Sequence, residues 1–188
     1  MFVFILIFPG YQASVVGKGI ERDLEVPRFN IKANFINTIK IAVLSLVYYV
    51  IPFILIFFII PALVGTPAFS FNMALFLILF IIIFIVFFIF SLFLSVAFAR
   101  MVHYDSLTKG LEFKEIYRDI KKIGLGKTVG WYIVVNIIHS VIINLGSLIV
   151  FIPVIGIIIF GALIIPFISL FYSYSVGLIY SNIIFEDN

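Results

Sequence analysis

The sequence predicts an all-α fold, an integral membrane helical bundle of two helical hairpins with a short N-terminal apolar segment and basic amphipathic interfacial helices. Three observations carry that expectation. The first is composition: of 188 residues, 64% are hydrophobic and 11% charged, against roughly 45–50% and 25% in soluble domains. So few charges cannot cover a soluble domain of this size. The second is where the charges lie. Residues 18–40 hold five Lys/Arg and three acids, residues 100–127 hold seven and four, and Glu186 and Asp187 close the chain. The third is what separates them: runs of 59 residues (41–99) and 58 residues (128–185) with no Lys, Arg, Asp or Glu. A spanning helix needs about 20 apolar residues, so each run holds two helices and a turn. Backbone groups in lipid must be bonded internally, and neither run alternates as barrel strands do.

The elements follow in order. Residues 1–17 rise only about 25 Å as a helix, and Pro9-Gly10 interrupts them. A shortened first span is expected there, with half of a broken or re-entrant segment as the alternative. No basic stretch or small-residue cleavage site accompanies this segment, which argues against a signal peptide; either the chain starts inside its first span or the natural start lies upstream. After Pro27, a suitable first helical residue, Ile31, Phe35, Ile36 and Ile39 form an apolar stripe that runs into the next span. The first hairpin is expected at 41–64 and 72–98, turning at Gly65-Thr66-Pro67. The second is expected at 130–151 and 157–180, turning at Ile152-Pro153-Val154-Ile155-Gly156. Pro removes a backbone donor and Gly permits the turn.

Between the hairpins, Phe113, Ile116, Tyr117 and Ile120 follow an i, i+3, i+4, i+7 pattern, with Lys109, Lys114, Arg118, Lys121 and Lys122 on other faces. This reads as an amphipathic helix lying in the interface, its basic face towards anionic lipid headgroups. The alternative is a solvated helix that covers the end of the bundle. All 12 Lys/Arg sit in the two segments that bound the hairpins and none in a hairpin turn. Positive residues stay inside, so both basic segments and the C-terminus are expected to be cytoplasmic in a multi-pass protein of the cell membrane. The basic excess flanks apolar runs, which points to membrane lipids and not to nucleic acid as partner.

The search for chemistry excludes more than it finds. Cys is absent, which removes disulfides, thiolate metal sites and cysteine nucleophiles. Gly124-Leu125-Gly126-Lys127-Thr128 invites a phosphate-loop reading, but Lys121 occupies the position where that loop needs Gly, and a helix precedes it where the motif needs a strand. Those glycines are expected to end the amphipathic helix. There is no zinc pair, no nucleophile elbow and no carboxylate within a span, so no catalytic residue, metal or cofactor is expected. Asp105, Glu112, Glu115 and Asp119 are spaced like helix surface charges. One constellation remains. Asn136, Ser140, Asn144 and Ser147 share one face of the 130–151 helix, with His139 beside them, and Ser169, Tyr172, Ser173 and Tyr180 share a side of the last helix. Such faces either glue helices together or line a functional cleft. His103 is expected at the cytoplasmic boundary, and Trp131-Tyr132 in an aromatic belt.

Several local patterns resemble one family. Gly10-Tyr11, Val15-Val16, Gly19, an acidic stretch and Pro27-Arg28-Phe29 are similar to the opening of the prokaryotic, often archaeal, membrane proteins called domain of unknown function 4013. Ala97-Phe98-Ala99-Arg100 with Phe113, Ile116 and Ile120 resembles its cytoplasmic segment. The Ile152–Gly156 turn, Pro166-Phe167, Phe171-Tyr172 and Gly177 resemble its final hairpin. The family usually has a fuller apolar segment before the Gly-Tyr pair, from which this chain departs. The resemblance implies a multi-pass membrane protein and supplies no activity or site. The expected function is a non-enzymatic membrane component that packs with lipids, with a second copy or with other membrane subunits. The alternative is a small-solute channel or carrier that uses the Asn136/His139/Ser140/Asn144 face.

Overall fold

A computed structural model describes residues 2–59 and 73–185. The expected turn at Gly65-Thr66-Pro67 and the closing acids Glu186 and Asp187 lie outside the described residues. All regular structure among the described residues is helical. Helix α1 spans Phe2–Glu21, α2 Ile31–Ile54, α3 Met73–His103, α4 Leu107–Gly110, α5 Phe113–Ile123, α6 Leu125–Ser147, α7 Ile155–Ile159 and α8 Ile165–Phe185. A π-helical turn at Leu55–Ile59 extends α2, a 3₁₀ turn at Leu148–Phe151 extends α6, and a π-helical turn at Phe160–Ile164 joins α7 to α8. Four of these helical stretches are long and apolar enough to cross a membrane: Ile31–Phe58, Leu77–His103, Leu125–Phe151 and Ile155–Phe185. The chain is therefore an all-α helical bundle built for lipid.

Two local outcomes differ from the periodicity. Pro9-Gly10 does not break α1, which continues through both residues. Proline costs one backbone donor, and a donor in the neighbouring turn finds a partner on α2, since the Gly10 amide donates to Thr38 Oγ1 at 2.9 Å. Helix α2 starts ten residues before the apolar run does, capped by Asn30, whose side chain accepts from the Ala33 amide at 3.1 Å. The second turn falls where the sequence placed it, with Val154 at φ 62° between α6 and α7.

The direction of each helix can be read from its contacts. Arg22, just past α1, donates to Ser181 Oγ and Asn182 Oδ1 near the end of α8. Ser95 meets Tyr172, and His103 meets Tyr180, so α1, α3 and α8 all finish at one end. Lys40 reaches Asp105, and Tyr49 reaches Ser91, which sets α2 antiparallel to α3. Charged residues collect at the end where α1, α3 and α8 finish. Helices α1 and α8 cross there at glycines. A Cβ on Gly19 would stand 2.3 Å from the Tyr174 carbonyl oxygen, and one on Gly177 would stand 2.2 Å from that of Val16. Small residues let membrane helices approach this closely.

The core lies towards this charged end. Val16, Ile20, Leu44, Tyr48, Val96, Ala97, Met101, Ile116, Ile120 and Val176 form one buried cluster. Farther away the helices spread, and α3 and α6 touch little. Phe57, Phe58, Phe80, Phe84, Phe151 and Leu163 there are each 60% exposed or more. Apolar surface on this scale fits contact with lipid or with other membrane helices, not water.

Candidate functional site

The spread of the helices opens a chamber of about 370 Å³ inside the bundle, bounded by α1, α2, α3, α6 and α8. Its polar lining includes Gln12, Ser45, Tyr49, Ser91, Ser95, Tyr132, Asn136, His139, Ser169, Tyr172 and Ser173, and none of the described residues that line it is Asp, Glu, Lys or Arg. Two polar faces noted in the sequence therefore meet: Asn136 and His139 from α6 with Ser169, Tyr172 and Ser173 from α8. Gln12 and the serines and tyrosines of α2 and α3 complete the ring. Gln12 stands alone on α1, whereas Ser45 with Tyr49 and Ser91 with Ser95 are single i, i+4 pairs within long apolar stretches.

Hydrogen bonding gives the chamber a chemical bias. Ser95, Ser169 and Ser173 each donate at 2.8 Å to the carbonyl four residues earlier. That commits the hydroxyl proton and leaves the oxygen as an acceptor. Ser95 Oγ also lies 2.6 Å from Tyr172 Oη, and Tyr49 Oη lies 3.2 Å from Ser91 Oγ. The Asn136 amide donates to the Tyr132 carbonyl at 2.8 Å. Ser169 and Ser173 thereby present acceptors to a lining whose described residues include no Asp, Glu, Lys or Arg.

The rest of the sequence-derived face goes elsewhere. Ser140 lines a neighbouring groove and is exposed. Asn144 is exposed and bonds within its own helix, to the Ser140 carbonyl at 2.7 Å, and Ser147 donates to the Asn144 carbonyl at 2.8 Å. Tyr180 leaves its companions and donates to Asp119 at 3.2 Å. Tyr132, placed by the sequence in an aromatic belt, lines the chamber and packs edge-on against Phe88. His103 is exposed at the end of α3, with its ring beside those of Tyr104 and Tyr180.

A second polar assembly closes the charged end, and here the surface-charge reading of Asp119 fails. Asp119 is buried, with its side chain 8% exposed, and pairs with the equally buried Arg100 at 2.6 Å. Arg100 also donates to the Lys109 carbonyl at 3.2 Å and to Glu112 at 3.3 Å, and its guanidinium lies over the Tyr104 ring. Lys109 bonds Glu112 at 2.9 Å. The Lys109 ammonium first, and Arg100 second, hold the Glu112 carboxyl below its ordinary range. Burial of a fully bonded ion pair joins α3, α5 and α8 in one arrangement, because removing any partner strands a charge. Asp119 sits between Ile116, Ile120 and Ile123, all buried. A carboxylate in the middle of an apolar stripe was the sequence signal for it.

The basic residues of this segment are spread over its outer surface. Lys114, Arg118, Lys121 and Lys122 are exposed. Arg118 pairs with Glu115 at 2.9 Å, and Lys121 lies over the Tyr117 ring. Gly124, at φ 97°, ends α5 and turns the chain into α6, the helix-ending role expected of it in place of a phosphate loop.

Among known proteins, no curated protein and no solved structure matches this chain. The model of one family, described as Protein of unknown function (DUF4013), matches residues 1–151. The last two helices, with the Pro166 and Gly177 features, lie beyond the match. The match covers most of the chain, and the protein therefore belongs to the DUF4013 family.

Proposed function

We propose that this is a non-enzymatic, multi-pass membrane protein that holds an uncharged polar group in the chamber between its helices. The observation that carries this reading is the composition of the lining: eleven polar side chains from five helices and no Asp, Glu, Lys or Arg among the described residues. A charged ligand brought into such a site would lose its hydration with no opposite charge to replace it. An uncharged ligand with hydroxyl donors would complete the acceptors of Ser169 and Ser173. We place the charged end in the cytoplasm, because every Lys and Arg lies in the segments that meet there. The exposed face of α5, amphipathic in its pattern, then offers Lys114, Arg118, Lys121 and Lys122 to anionic headgroups.

Thermal unfolding tests the chamber. Binding stabilises by RT ln(1 + [L]/Kd), about 2.7 kcal/mol at a hundredfold excess over Kd. The midpoint of delipidated wild-type protein is expected to rise when a membrane-lipid extract is returned. Gln12→Trp and Ser169→Phe fill the chamber from half-buried positions on two helices, and both should lose that rise. An equal rise in all three proteins would refute the reading. Sidedness is read by labelling: Lys114→Cys in an otherwise Cys-free chain should react with an impermeant maleimide only in opened cells. Reaction in intact cells would reverse the orientation.

A further inference from the structure

The chamber does not stand alone. An apolar groove of about 760 Å³ runs along α2 and its π-helical extension, from Ser45 and Tyr49 past Phe53 to Phe57 and Phe58. A second, of about 410 Å³, lies between α3 and α6, where Phe84 and Phe88 face Ile133 and Ile137. Each shares residues with the chamber: Ser45 and Tyr49 for the first, Ser91, Tyr132 and Asn136 for the second. Both lead away from the charged end. Helix α2 leaves that end, so its groove deepens with rising number, and α3 approaches it, so Phe84 is farther from it than Ser91. Ser45 and Ser95 are each five residues from the charges Lys40 and Arg100, which places the chamber about 7 Å inside them along the helix axis.

A polar compartment near one membrane face, with two apolar channels running from it towards the middle, has the shape of a lipid lying in its own leaflet. Resting on the reading of the chamber above, we propose that the ligand is a two-chain glycerolipid with an uncharged, hydroxyl-bearing head. Its head occupies the chamber and one chain lies in each groove. The cations around the chamber disfavour a phosphate-bearing head. Two of the cations closest along the chain are already engaged, Lys40 by Asp105 at 2.6 Å and Arg100 by Asp119 at 2.6 Å, and the described residues that line the chamber include no Lys or Arg. Phosphate-bearing lipids belong instead against the exposed lysines of α5, outside the bundle. The Phe-rich stretch of α3 thereby acquires a use, since its rings form one wall of a chain channel.

Photolabelling tests this. Wild-type protein in vesicles is irradiated with diacylglycerol carrying a diazirine in one chain, and in parallel with phosphatidylglycerol carrying the same chain. The diacylglycerol probe is expected to label peptides covering Phe53–Phe58 and Phe84–Phe88 at least tenfold more than the phosphatidylglycerol probe. Gln12→Trp and Ser169→Phe, which leave both grooves untouched, should remove the excess at both sites. Equal labelling by the two probes, or labelling that survives both substitutions, would show the grooves bathed in bulk lipid and overturn the proposal. If that happens while the lipid-dependent rise in midpoint is still lost in the two variants, the chamber binds something else and the broader reading stands. If the rise persists as well, both fall.

Discussion

The two basic segments carry the same sequence pattern and use it in opposite ways. In 18–40, the stripe Ile31, Phe35, Ile36 and Ile39 is exposed, between 44% and 63% for each residue. In 100–127, Ile116 and Ile120 are 0% and 2% exposed and belong to the bundle core, while Phe113 and Tyr117 at the edge of the same stripe stay 43% and 45% exposed. The difference does not come from hydrophobicity, which is comparable. It comes from polar anchors. Helix α5 carries Asp119 within its apolar face, and a buried carboxylate must find a cation, which Arg100 at the end of α3 supplies. That pair, with Tyr180, turns the helix inwards. The start of α2 carries no charge on its stripe, and the stripe stays exposed on the outside of the bundle. Amphipathic periodicity states that a face will be buried, and the polar residues inside the face decide whether protein or lipid buries it.

Substitutions can break the contrast. The largest effect is expected at the ion pair: Asp119→Ala strands Arg100 and should cost about 3–5 kcal/mol, read as a lowered midpoint in detergent. Replacing both residues by apolar ones of similar size, Arg100→Met with Asp119→Leu, should recover much of it. A double variant no better than the single one would mean that the pair is not what holds α5. Next comes packing. Ile120→Ala should cost about 2–5 kcal/mol by leaving a cavity, whereas Ile36→Ala, on the outward stripe, should stay within about 0.5 kcal/mol. Equal costs would erase the distinction between the segments. A smaller effect is expected from charge: neutralising Lys109, Lys114, Arg118 and Lys121 together should weaken and flatten the salt dependence of binding to anionic vesicles. An unchanged salt response would remove α5 from the lipid surface.

The smallest effect concerns acid. Lys109 and then Arg100 lower the folded-state pKa of Glu112. A depressed carboxylate contributes stability above its unfolded pKa and loses it as pH falls through the folded one. The midpoint difference between wild type and Glu112→Gln should thus be full near neutrality and shrink in acid, below the ordinary carboxylate range. A gap that widened on acidification would contradict the assigned partners.

Much of the fold was legible in the charge map, because lipid makes the location of Lys, Arg, Asp and Glu a structural statement. The capacity of the apolar runs to span a membrane followed from it, while the turn near Pro153 and the role of Gly124 followed from the Pro and Gly residues themselves. Helix α1 was harder to read, since Pro9 looks like a break until α2 is seen to bond the neighbouring amide. The chamber was half legible. Asn136 and His139 stood out by periodicity, but Gln12 stands alone on α1, Ser45/Tyr49 and Ser91/Ser95 are single i, i+4 pairs in long apolar helices, and only packing brings them together. Asn144 and Ser147 shared the periodicity and not the site: both bond within α6, and Asn144 is exposed.

The central claim is that the chamber is a ligand site and not a packing defect. Native mass spectrometry of the protein released from lipid discs addresses it most directly. Wild-type protein should carry one retained adduct with the mass of a neutral two-chain lipid, and Gln12→Trp, folded to the same extent, should carry none. Bare wild-type protein, or identical adducts on both, would contradict the account.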